Sequence, residues 1–517
     1  MPPTPPARAG AREWIALAVL GLPAILVMMN MSVLYLALPS LSADLRPSSS
    51  QMLWITDIYG FMVAGFLITV GTLGDRIGHR RILLLGATAF AAASVLAAYS
   101  TSTEMLITAR ALQGVAAATL APSSLSIVRN LFHDPQQRTL AITIWMLSFM
   151  GGGALGPLVG GVLLQYFWWG SVFLVAVPTM VLLIATGPFL MPEFRPEKAG
   201  RLDAASVAMS VITPLAVVYG IKNLAAHGFD PISLVAIALG VATGVTFVRR
   251  QRRLAEPLLD LGLFRIPAFA VSAGGMIVVG IILFGTSLLT TQYLQLVLGF
   301  SPLKAGLWQL PTAVSGTVVA LWVSGLTERF RPAVLMSAGA AFAILGPLLL
   351  TQADRNPVVL VGGSVLLFAG LTPFMSLGTS LVVGAAPKER AGAASAISET
   401  GAELGGALGI ALLGSIATAV YGKYMTDNMP DEVRDAVAES ARETLPTALD
   451  TAERLSDSLG AQLTEVARDA FTQSLHTHAI IVIPLLVALA VLTLRRSSPP
   501  PQPVAPDKDA DRTTISD

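Results

Sequence analysis

The sequence of 517 residues contains no cysteine and few charged side chains, and each shortage excludes a class of protein. Without cysteine there is no disulfide, thiolate metal site or thiol nucleophile. Charged residues make up 13% of the chain and the formal net charge is +1, so no basic excess is available to bind nucleic-acid phosphates. The five histidines include one close pair, His476 and His478, without the second pair that a zinc site needs.

Nucleotide-binding loops are missing from the sequence, as are the zinc and serine motifs of hydrolases. An ATP-driven pump is therefore disfavoured, and an intramembrane enzyme is a remote alternative. We predict a protein that is not an enzyme and that uses no cofactor.

Apolar side chains, in contrast, are abundant. The hydrophobic fraction is 54% and the mean hydropathy is +0.69, which is too apolar for a soluble globular protein and predicts an all-α integral membrane protein. Apolar runs long enough to cross about 30 Å of hydrocarbon predict about fourteen spanning helices, at residues 14–38, 51–73, 82–99, 104–128, 139–165, 170–190, 204–222, 231–248, 268–291, 302–326, 332–350, 357–384, 391–421 and 472–494. Residues 1–13 lack a signal-peptide cleavage site, so the first helix is expected to stay in the membrane.

Basic side chains cluster in alternate loops, which predicts the orientation of the chain in the cell membrane. Cytoplasmic loops of membrane proteins carry an excess of lysine and arginine. Both termini are therefore expected in the cytoplasm. On the outer side we predict one long loop, 423–470, with exposed amphipathic helices at 431–443 and 448–470. The proline-rich and charged tail, 495–517, is expected to be disordered. The clusters are Arg76, Arg80 and Arg81; Arg129 and Arg138; Arg195, Lys198 and Arg201; and Arg249, Arg250, Arg252 and Arg253.

Three local matches at a separation of 252 or 253 residues indicate an internal repeat. The segment 73–76 matches 326–329, the segment 135–138 matches 387–390, and 152–156 matches 405–409. We therefore predict two six-helix halves, 14–190 and 268–494, with two inserted helices and their loops at 191–267. Paired halves of this kind are typical of alternating-access transporters, which bind substrate between the halves near the middle of the membrane.

Small residues are concentrated in predicted helix 5. In lipid, such residues let a neighbouring helix backbone approach closely, and the proline allows the helix to bend. An ordinary packing face is the alternative to a special role in conformational change. The residues are Gly152, Gly156, Pro157, Gly160 and Gly161.

The loop after predicted helix 2 combines glycine with charge. The glycines allow close packing and a tight turn, and the acid can pair with a basic residue or cap a neighbouring helix. Such contacts would latch the cytoplasmic face shut in one state of a transport cycle. The alternative is that the basic residues only anchor the topology. The group consists of Gly71, Asp75, Arg76, Gly78, Arg80 and Arg81.

Charged residues inside the predicted spans are few, and such residues usually face a cavity. Glu399 and Glu403 lie one turn apart on one helical face, and at that spacing two carboxylates resist ionising together. At least one of them is expected to take up and release a proton. Arg110 would either face a cavity or extend its guanidinium to the outer surface. Asp57 is either a buried site residue or a solvated group at the interface.

Several of these segments resemble motifs of one family. Gly71–Arg81 is similar to the loop 2–3 signature of the major facilitator superfamily, Thr108–Gly114 to its helix 4 motif, and Gly152–Gly161 to the antiporter motif in helix 5. Together they resemble the fourteen-helix drug:proton antiporters that export quaternary ammonium compounds, dyes and fluoroquinolones. The resemblance implies the major facilitator fold and a role for Arg110 in proton coupling.

The same resemblance implies a monomeric multidrug efflux antiporter. Its partners would be the lipid bilayer, protons and small-molecule drugs, with the proton gradient as the energy source. Adaptable methionine and aromatic surfaces suit amphipathic cations. Alternatives are a dedicated exporter of a single antibiotic or metabolite and, in another class, a lipid or glycolipid flippase. Asn30 departs from the family, in which relatives often carry an aspartate in helix 1, so we expect the chain to favour singly charged substrates.

Overall fold

The computed structural model describes residues 9–193, 203–227, 230–254, 257, 259, 261–327, 329–385, 391–430 and 440–496. Within these ranges the regular structure is helical. The first half contains α1 (Ala11–Leu45), α2 (Ser49–Ile77), α3 (His79–Ala98), α4 (Thr103–Leu131), α5 (Pro135–Tyr166), α6 (Ser171–Leu174) and α7 (Ala176–Leu190). The inserted pair is α8 (Ala204–His227) and α9 (Pro231–Gln251).

The second half begins with a 3₁₀ turn (Leu263–Arg265) and ends before the tail. Its elements are α10 (Pro267–Gln292) with a π-helical continuation (Tyr293–Val297), α11 (Pro302–Leu326), α12 (Pro332–Ala343), α13 (Leu345–Leu350), α14 (Pro357–Ala385), α15 (Ala391–Asn428), α16 (Leu445–Ala452) and α17 (Asp457–Arg496). Polar residues precede several helices of the first half: the side chains of Ser48, Ser102 and Asp134, before α2, α4 and α5, each accept a hydrogen bond from the backbone N–H three residues ahead.

Twelve of the described helices are long and apolar enough to cross a membrane. Helix α5 adds a thirteenth span if its two parts, Leu140–Gly153 and Leu155–Tyr166, are joined across a 41° bend. Helix α2 is 29 residues long but is not among these spans. The all-α membrane fold is therefore confirmed, whereas the total of fourteen spanning helices stays a prediction.

The glycine repeat has a counterpart in the packing of the two halves. Helix α5 packs along α1, and α15 packs along α10. A Cβ atom on Gly152 would lie 2.9 Å from the carbonyl carbon of Ile25 in α1. A Cβ atom on its repeat partner, Gly405, would lie 2.8 Å from the Cα atom of Ile277 in α10. Each glycine thus permits a backbone contact that any larger residue would prevent.

The inserted helices lie beside the junction of the halves. Helix α8 packs against α2 of the first half and α15 of the second, and α9 packs on α8. At one end of this pair the guanidinium of Arg250 donates two hydrogen bonds, of 2.6 and 2.8 Å, to the carboxylate of Asp203. The hydroxyl of Ser210 in α8 donates to the backbone oxygen of Gly65 in α2 at 3.1 Å.

The long loop before the last helix differs from its prediction. Residues 457–470 are the first turns of α17, which continues without a break to Arg496, and α16 is a separate short helix. The apolar side chains of this region are buried and many of its polar side chains are exposed, so it is amphipathic as predicted, but it is not the single separate helix expected at 448–470. Examples are Leu445, Ala448 and Leu463, which pack in one cluster with Tyr421 and Met425. Residues 431–439 of the other predicted helix, and the tail from 497, lie outside the described residues.

Candidate functional site

Arg110 is the centre of a buried hydrogen-bond network in the first half. Its side chain has no solvent exposure. The Nε atom donates to the backbone oxygen of Ile55 at 3.3 Å, and Nη1 donates to Oδ1 of Asn30 and, at 3.1 Å, to Oε1 of Gln113. Gln113 in turn donates to the hydroxyl of Ser94 at 2.9 Å. Helices α1, α2, α3 and α4 are thereby joined through one guanidinium, and the alternative in which Arg110 reaches the outer surface is wrong.

Aromatic rings stabilise the positive charge of Arg110. Its Cζ atom lies 4.5 Å from the ring centroid of Tyr59 and 5.8 Å from that of Phe173. The faces of these rings carry negative partial charge and attract a cation, more strongly where water is excluded. The oxygens that accept hydrogen bonds from this guanidinium are all neutral, so the site retains a positive charge.

Acidic residues of both halves lie close to this network. Tyr35 is within electrostatic range of Asp57, Glu403 and Arg110, and Tyr59 is within range of Glu403 and Arg110. Helix α15 therefore brings Glu403 of the second half towards the charged residues of the first. Among the predicted residues, Asn30 is thus hydrogen-bonded to Arg110, and Asp57 and Glu403 both lie within electrostatic range of Tyr35; these four residues form the charged cluster.

Asp57 is completely buried in α2 and its Oδ1 atom accepts a hydrogen bond from the hydroxyl of Thr56 at 3.1 Å. The alternative of a solvated interfacial group is therefore wrong for Asp57. Glu403 is half-buried. The side chain of Glu399 lies outside the described residues, although its backbone belongs to α15 one turn before Glu403. The proposed pairing of the two glutamates is thus untested.

Two tyrosines complete the cluster, and their hydroxyls have no hydrogen-bond partner among the described residues. Tyr35 is 3% exposed and Tyr59 is 1% exposed, and neither phenol oxygen is satisfied. Nη2 of Arg110 is also buried without such a partner. Buried polar groups are normally hydrogen-bonded, so these three groups are available to bind water or a ligand.

Sequence reasoning missed Tyr35 and assigned no role to Gln113 or Ser94. A tyrosine in the middle of an apolar span was an available signal for Tyr35, because its hydroxyl needs a partner when it is buried. Among the residues that the structure describes, no group of three or more histidine, aspartate and glutamate side chains is arranged to hold a metal ion.

The small residues of α5 make two kinds of contact. Three of them pack within the first half: Gly152, Gly156 and Gly160 face α1, and a Cβ atom on Gly156 would lie 3.1 Å from Cβ of Ser32. The other two, Pro157 and Gly161, meet α11 of the second half. A Cβ atom on Gly161 would lie 2.8 Å from Cα of Leu303, and one on Gly306 would lie 2.9 Å from the carbonyl carbon of Pro157.

The glycine and arginine residues after α2 lie beside the segment that follows α7. Gly78 separates α2 from α3 with φ at +111°, a conformation that favours glycine. Arg80 and Arg81 each place Nε 3.6 Å from the carboxylate of Glu193, which sequence reasoning missed. Arg80 also donates to the backbone oxygen of Met191 at 3.0 Å.

Three further members of this loop motif add no described contact between the halves. Gly71 belongs to α2, Arg76 is exposed at the end of that helix, and the side chain of Asp75 lies outside the described residues. A latch between the halves therefore stays a prediction.

Two helical halves with equivalent packing glycines, joined around buried charges, define a membrane transporter. The chain belongs to the Major Facilitator Superfamily, whose family model matches residues 20–410. The family and the fold predicted from the motifs are thereby confirmed.

Relatives and a solved structure agree with this assignment. The chain is 41% identical over 489 residues to the multidrug efflux pump LfrA of Mycolicibacterium smegmatis, covering 94% of this chain and 96% of that protein. It is 33% identical over 478 residues to the methyl viologen resistance protein SmvA of Salmonella typhimurium, covering 90% and 94%. The fold is similar to that of a bacterial homologue of the lysosomal transporter Spinster in an inward-facing, occupied conformation, with a TM-score of 0.66 at 17% identity, covering 94% of this chain and 98% of that one.

Proposed function

We propose that this chain is a multidrug efflux antiporter that exports amphipathic, cationic compounds in exchange for protons and so confers drug resistance. The observation that carries the proposal is that the buried Asp57 and the half-buried Glu403, from different halves, both lie within electrostatic range of Tyr35, as does the fixed charge of Arg110. The similarity to LfrA and SmvA, which are named for multidrug efflux and methyl viologen resistance, supports drug export.

The charges of this cluster account for exchange. Arginine stays protonated at working pH, whereas a carboxyl group can alternate between a protonated and an ionised form. With both carboxylates ionised, Asp57, Glu403 and Arg110 together carry one negative charge, which a singly charged cation neutralises. Protonation of a carboxyl group removes that attraction and releases the cation. A proton and a drug cation would therefore compete for the same charge, as antiport requires.

The aromatic residues suit the apolar part of such a substrate. The ring of Tyr59 already contacts Arg110, so the ring of Tyr35 is the surface that remains for a cation, and the hydroxyls of both tyrosines can donate hydrogen bonds to a ligand. Because these side chains come from α1 and α2 and Glu403 from α15, binding would depend on how the halves are arranged.

We further propose that both termini lie in the cytoplasm and that the protein works as a monomer in the cell membrane. The alternate basic loops support this orientation, with the Arg80 and Arg81 turn and the end of α9 on the cytoplasmic side. In this orientation α5 ends, and α11 begins, at the outer face. The contact between Gly161 and Leu303 then closes the outer side of the protein.

The test is a growth-inhibition panel in a bacterial host that lacks its own major drug exporters. Wild type and Glu403→Gln are expressed at equal levels and challenged with dyes, quaternary ammonium compounds, fluoroquinolones and neutral antibiotics. We expect wild type to protect against several structurally unrelated cations and Glu403→Gln to protect against none of them. Protection against a single compound would instead indicate a dedicated exporter, and protection by Glu403→Gln equal to that by wild type would contradict the proposed mechanism.

A further inference from the structure

The second half of the protein contains a small cavity between α10, α11 and α14. It has room for about one water molecule or one hydroxyl group. Apolar side chains form part of its wall, and the polar side chains among the described lining residues are all uncharged. These polar residues are Ser287, Thr290, Gln309, Thr312 and Ser364.

The packing of helices within each half shows which residues are equivalent in the internal repeat. A Cβ atom on Gly152 would meet the backbone of Ile25 in α1. A Cβ atom on its repeat partner, Gly405, would meet the backbone of Ile277 in α10. Because these two contacts correspond, α1 and α10 are equivalent at a separation of 252 residues.

Helices α2 and α4 also have counterparts in the second half. Ser48 and Ser301, whose side chains cap the starts of α2 and α11, are 253 residues apart. Helices α4 and α14 begin 254 residues apart, and the same separation relates their contacts with α3 and α12. These contacts are those that a Cβ atom on Gly86 would make with the backbone oxygen of Ala116, and one on Gly339 with that of Gly370.

These separations match the residues around Arg110 to residues that line the cavity. Each large polar side chain of the first half corresponds to a small hydroxyl side chain in the second. The guanidinium and phenol groups that fill the first-half site therefore have no counterpart of their size, which leaves the cavity open. The pairs are Arg110 and Ser364, Tyr35 and Ser287, and Tyr59 and Thr312.

The cavity offers one hydrogen-bond donor and two acceptors to a ligand. Nε2 of Gln309 is buried without a partner among the described residues, whereas Oε1 of the same amide accepts from the hydroxyl of Thr291 at 3.2 Å. The hydroxyls of Ser364 and Thr290 donate to backbone oxygens of their own helices at 3.0 and 2.8 Å, so their oxygen atoms can still accept. An uncharged group that both accepts and donates complements this set, and a hydroxyl group has that chemistry and the right size.

We infer that this cavity is a second subsite of the transporter, which binds an uncharged hydroxyl group of a substrate while the charged cluster binds its cationic group. The inference rests on the proposed export function and adds a second chemical feature to the substrate class. Repeats related by an axis along the membrane normal place partner residues at the same depth, so the cavity lies level with the Arg110 network. A cation with a hydroxyl group at the far end of an apolar chain therefore suits both subsites.

A set of matched ligands tests the subsite directly. Alkyl trimethylammonium compounds of increasing chain length are compared with the same compounds carrying a terminal hydroxyl group. The Kd of each is measured on the purified protein by displacement of bound rhodamine 6G. The quantity of interest is the ratio of the two Kd values at each chain length, since the cationic group and the chain are common to both compounds.

Two serines of α14 provide a variant and its matched control. The hydroxyl of Ser364 lines the cavity, whereas that of Ser376, three turns further along, does not; each donates to the backbone oxygen four residues earlier at 3.0 Å. Ser364→Ala should shift the ratio against the hydroxylated compound by about fivefold, as expected for one lost hydrogen bond, at the chain length that spans both subsites. Ser376→Ala should leave the ratio unchanged. Gln309→Leu, which removes the donor, should shift the ratio in the same direction as Ser364→Ala.

Two results would overturn the inference. One is the same ratio for wild type, Ser364→Ala and Gln309→Leu at every chain length, which would show that the cavity holds water only. The other is an equal shift in Ser364→Ala and Ser376→Ala, which would reflect a general effect on α14. Failure of wild type to bind and export any cationic compound, with or without a hydroxyl group, would instead refute the proposed function, so the two failures are distinguishable.

Discussion

Oδ1 of Asn30 accepts a hydrogen bond from Nη1 of Arg110, so an amide in α1 and a guanidinium in α4 are joined inside the first half. The amide leaves the positive charge of Arg110 in place, because it accepts the bond without contributing a negative charge. Asn30 thereby influences the total charge of the cluster without carrying any charge itself.

Asn30→Asp should widen the substrate range towards doubly charged compounds. The new carboxylate would accept the same bond from Arg110 and neutralise it, leaving the cluster one charge more negative. We expect wild type to protect cells better against singly charged quaternary ammoniums than against matched doubly charged ones, and Asn30→Asp to raise protection against the latter. Resistance profiles of the two proteins provide the measurement. An unchanged ratio would show that Asn30 does not set the charge preference.

Arg110→Leu should destabilise the fold, whereas Arg110→Lys should mainly impair transport. Leucine removes the guanidinium that donates to Oε1 of the fully buried Gln113 and to Oδ1 of the partly buried Asn30, and an unsatisfied buried acceptor costs about 1–3 kcal/mol. Lysine keeps the charge but lacks the planar fork that reaches Ile55, Asn30 and Gln113 together. Thermal unfolding in detergent and dye export should be measured for both, with the exposed Arg252→Leu as control. Normal stability of Arg110→Leu would be inconsistent with the observed network.

Glu403→Gln should abolish exchange without loss of folding. Glutamine keeps the shape and hydrogen bonding of the side chain but cannot titrate, so gradient-driven export should fall by at least about tenfold, as expected for a carboxylate in the transport path. Glu399→Gln and the double variant show whether the second glutamate shares the role. Full activity of the double variant would rule out both carboxylates as proton carriers.

Gly156→Leu should block the conformational cycle before it affects ligand binding. A Cβ atom at this position already meets Ser32 of α1, so a leucine would push the two helices apart. Gly151→Leu is the matched control, because that glycine has open space around it. Dye binding and dye export should be measured for both variants. Equal loss of binding and export in Gly156→Leu would indicate a folding defect instead.

Asp203→Asn should lower the melting temperature by the same amount from pH 5 to pH 8. Hydrogen bonds from the side chain of Arg250 and from Ser206 hold the pKa of Asp203 well below its usual range. A carboxylate with a lowered pKa contributes stability at every pH above the ordinary aspartate pKa of about 3.9, and this contribution is lost only as the pH falls below that value. A difference between wild type and Asp203→Asn that changes between pH 5 and pH 8 would contradict this role.

Local features of the fold were predictable from the sequence because they depend on local chemistry. Hydropathy located the helices, and the glycine spacing predicted close packing of α5 before its partner was known. The start of α17 was missed because hydropathy detects only the part of a helix that resembles a membrane span. Helix α17 continues for several turns of alanine and polar residues beyond that part.

The composition of the cluster was only partly predictable. The rarity of charge in a span singled out Asp57 and Arg110 as candidates, but the sequence left open whether they are buried. The contact between Arg110 and Asn30 joins residues 80 positions apart, and it depends on the rotation of two helices that no local pattern specifies. Tyr35 was missed although a tyrosine inside an apolar span was an available signal. The position of α8 beside α2 and α15 could not be inferred. The repeat by itself predicts the same surroundings for the equivalent pair of helices, α5 and α11.

The most direct test of the central claim is transport by purified protein in sealed vesicles with only a pH gradient imposed. The account predicts that a cationic dye moves across the membrane while protons move in the opposite direction, and that both fluxes stop when the gradient is collapsed or when Glu403→Gln replaces wild type. Dye transport that requires ATP or sodium, or that proceeds at the same rate without a pH gradient, would contradict it.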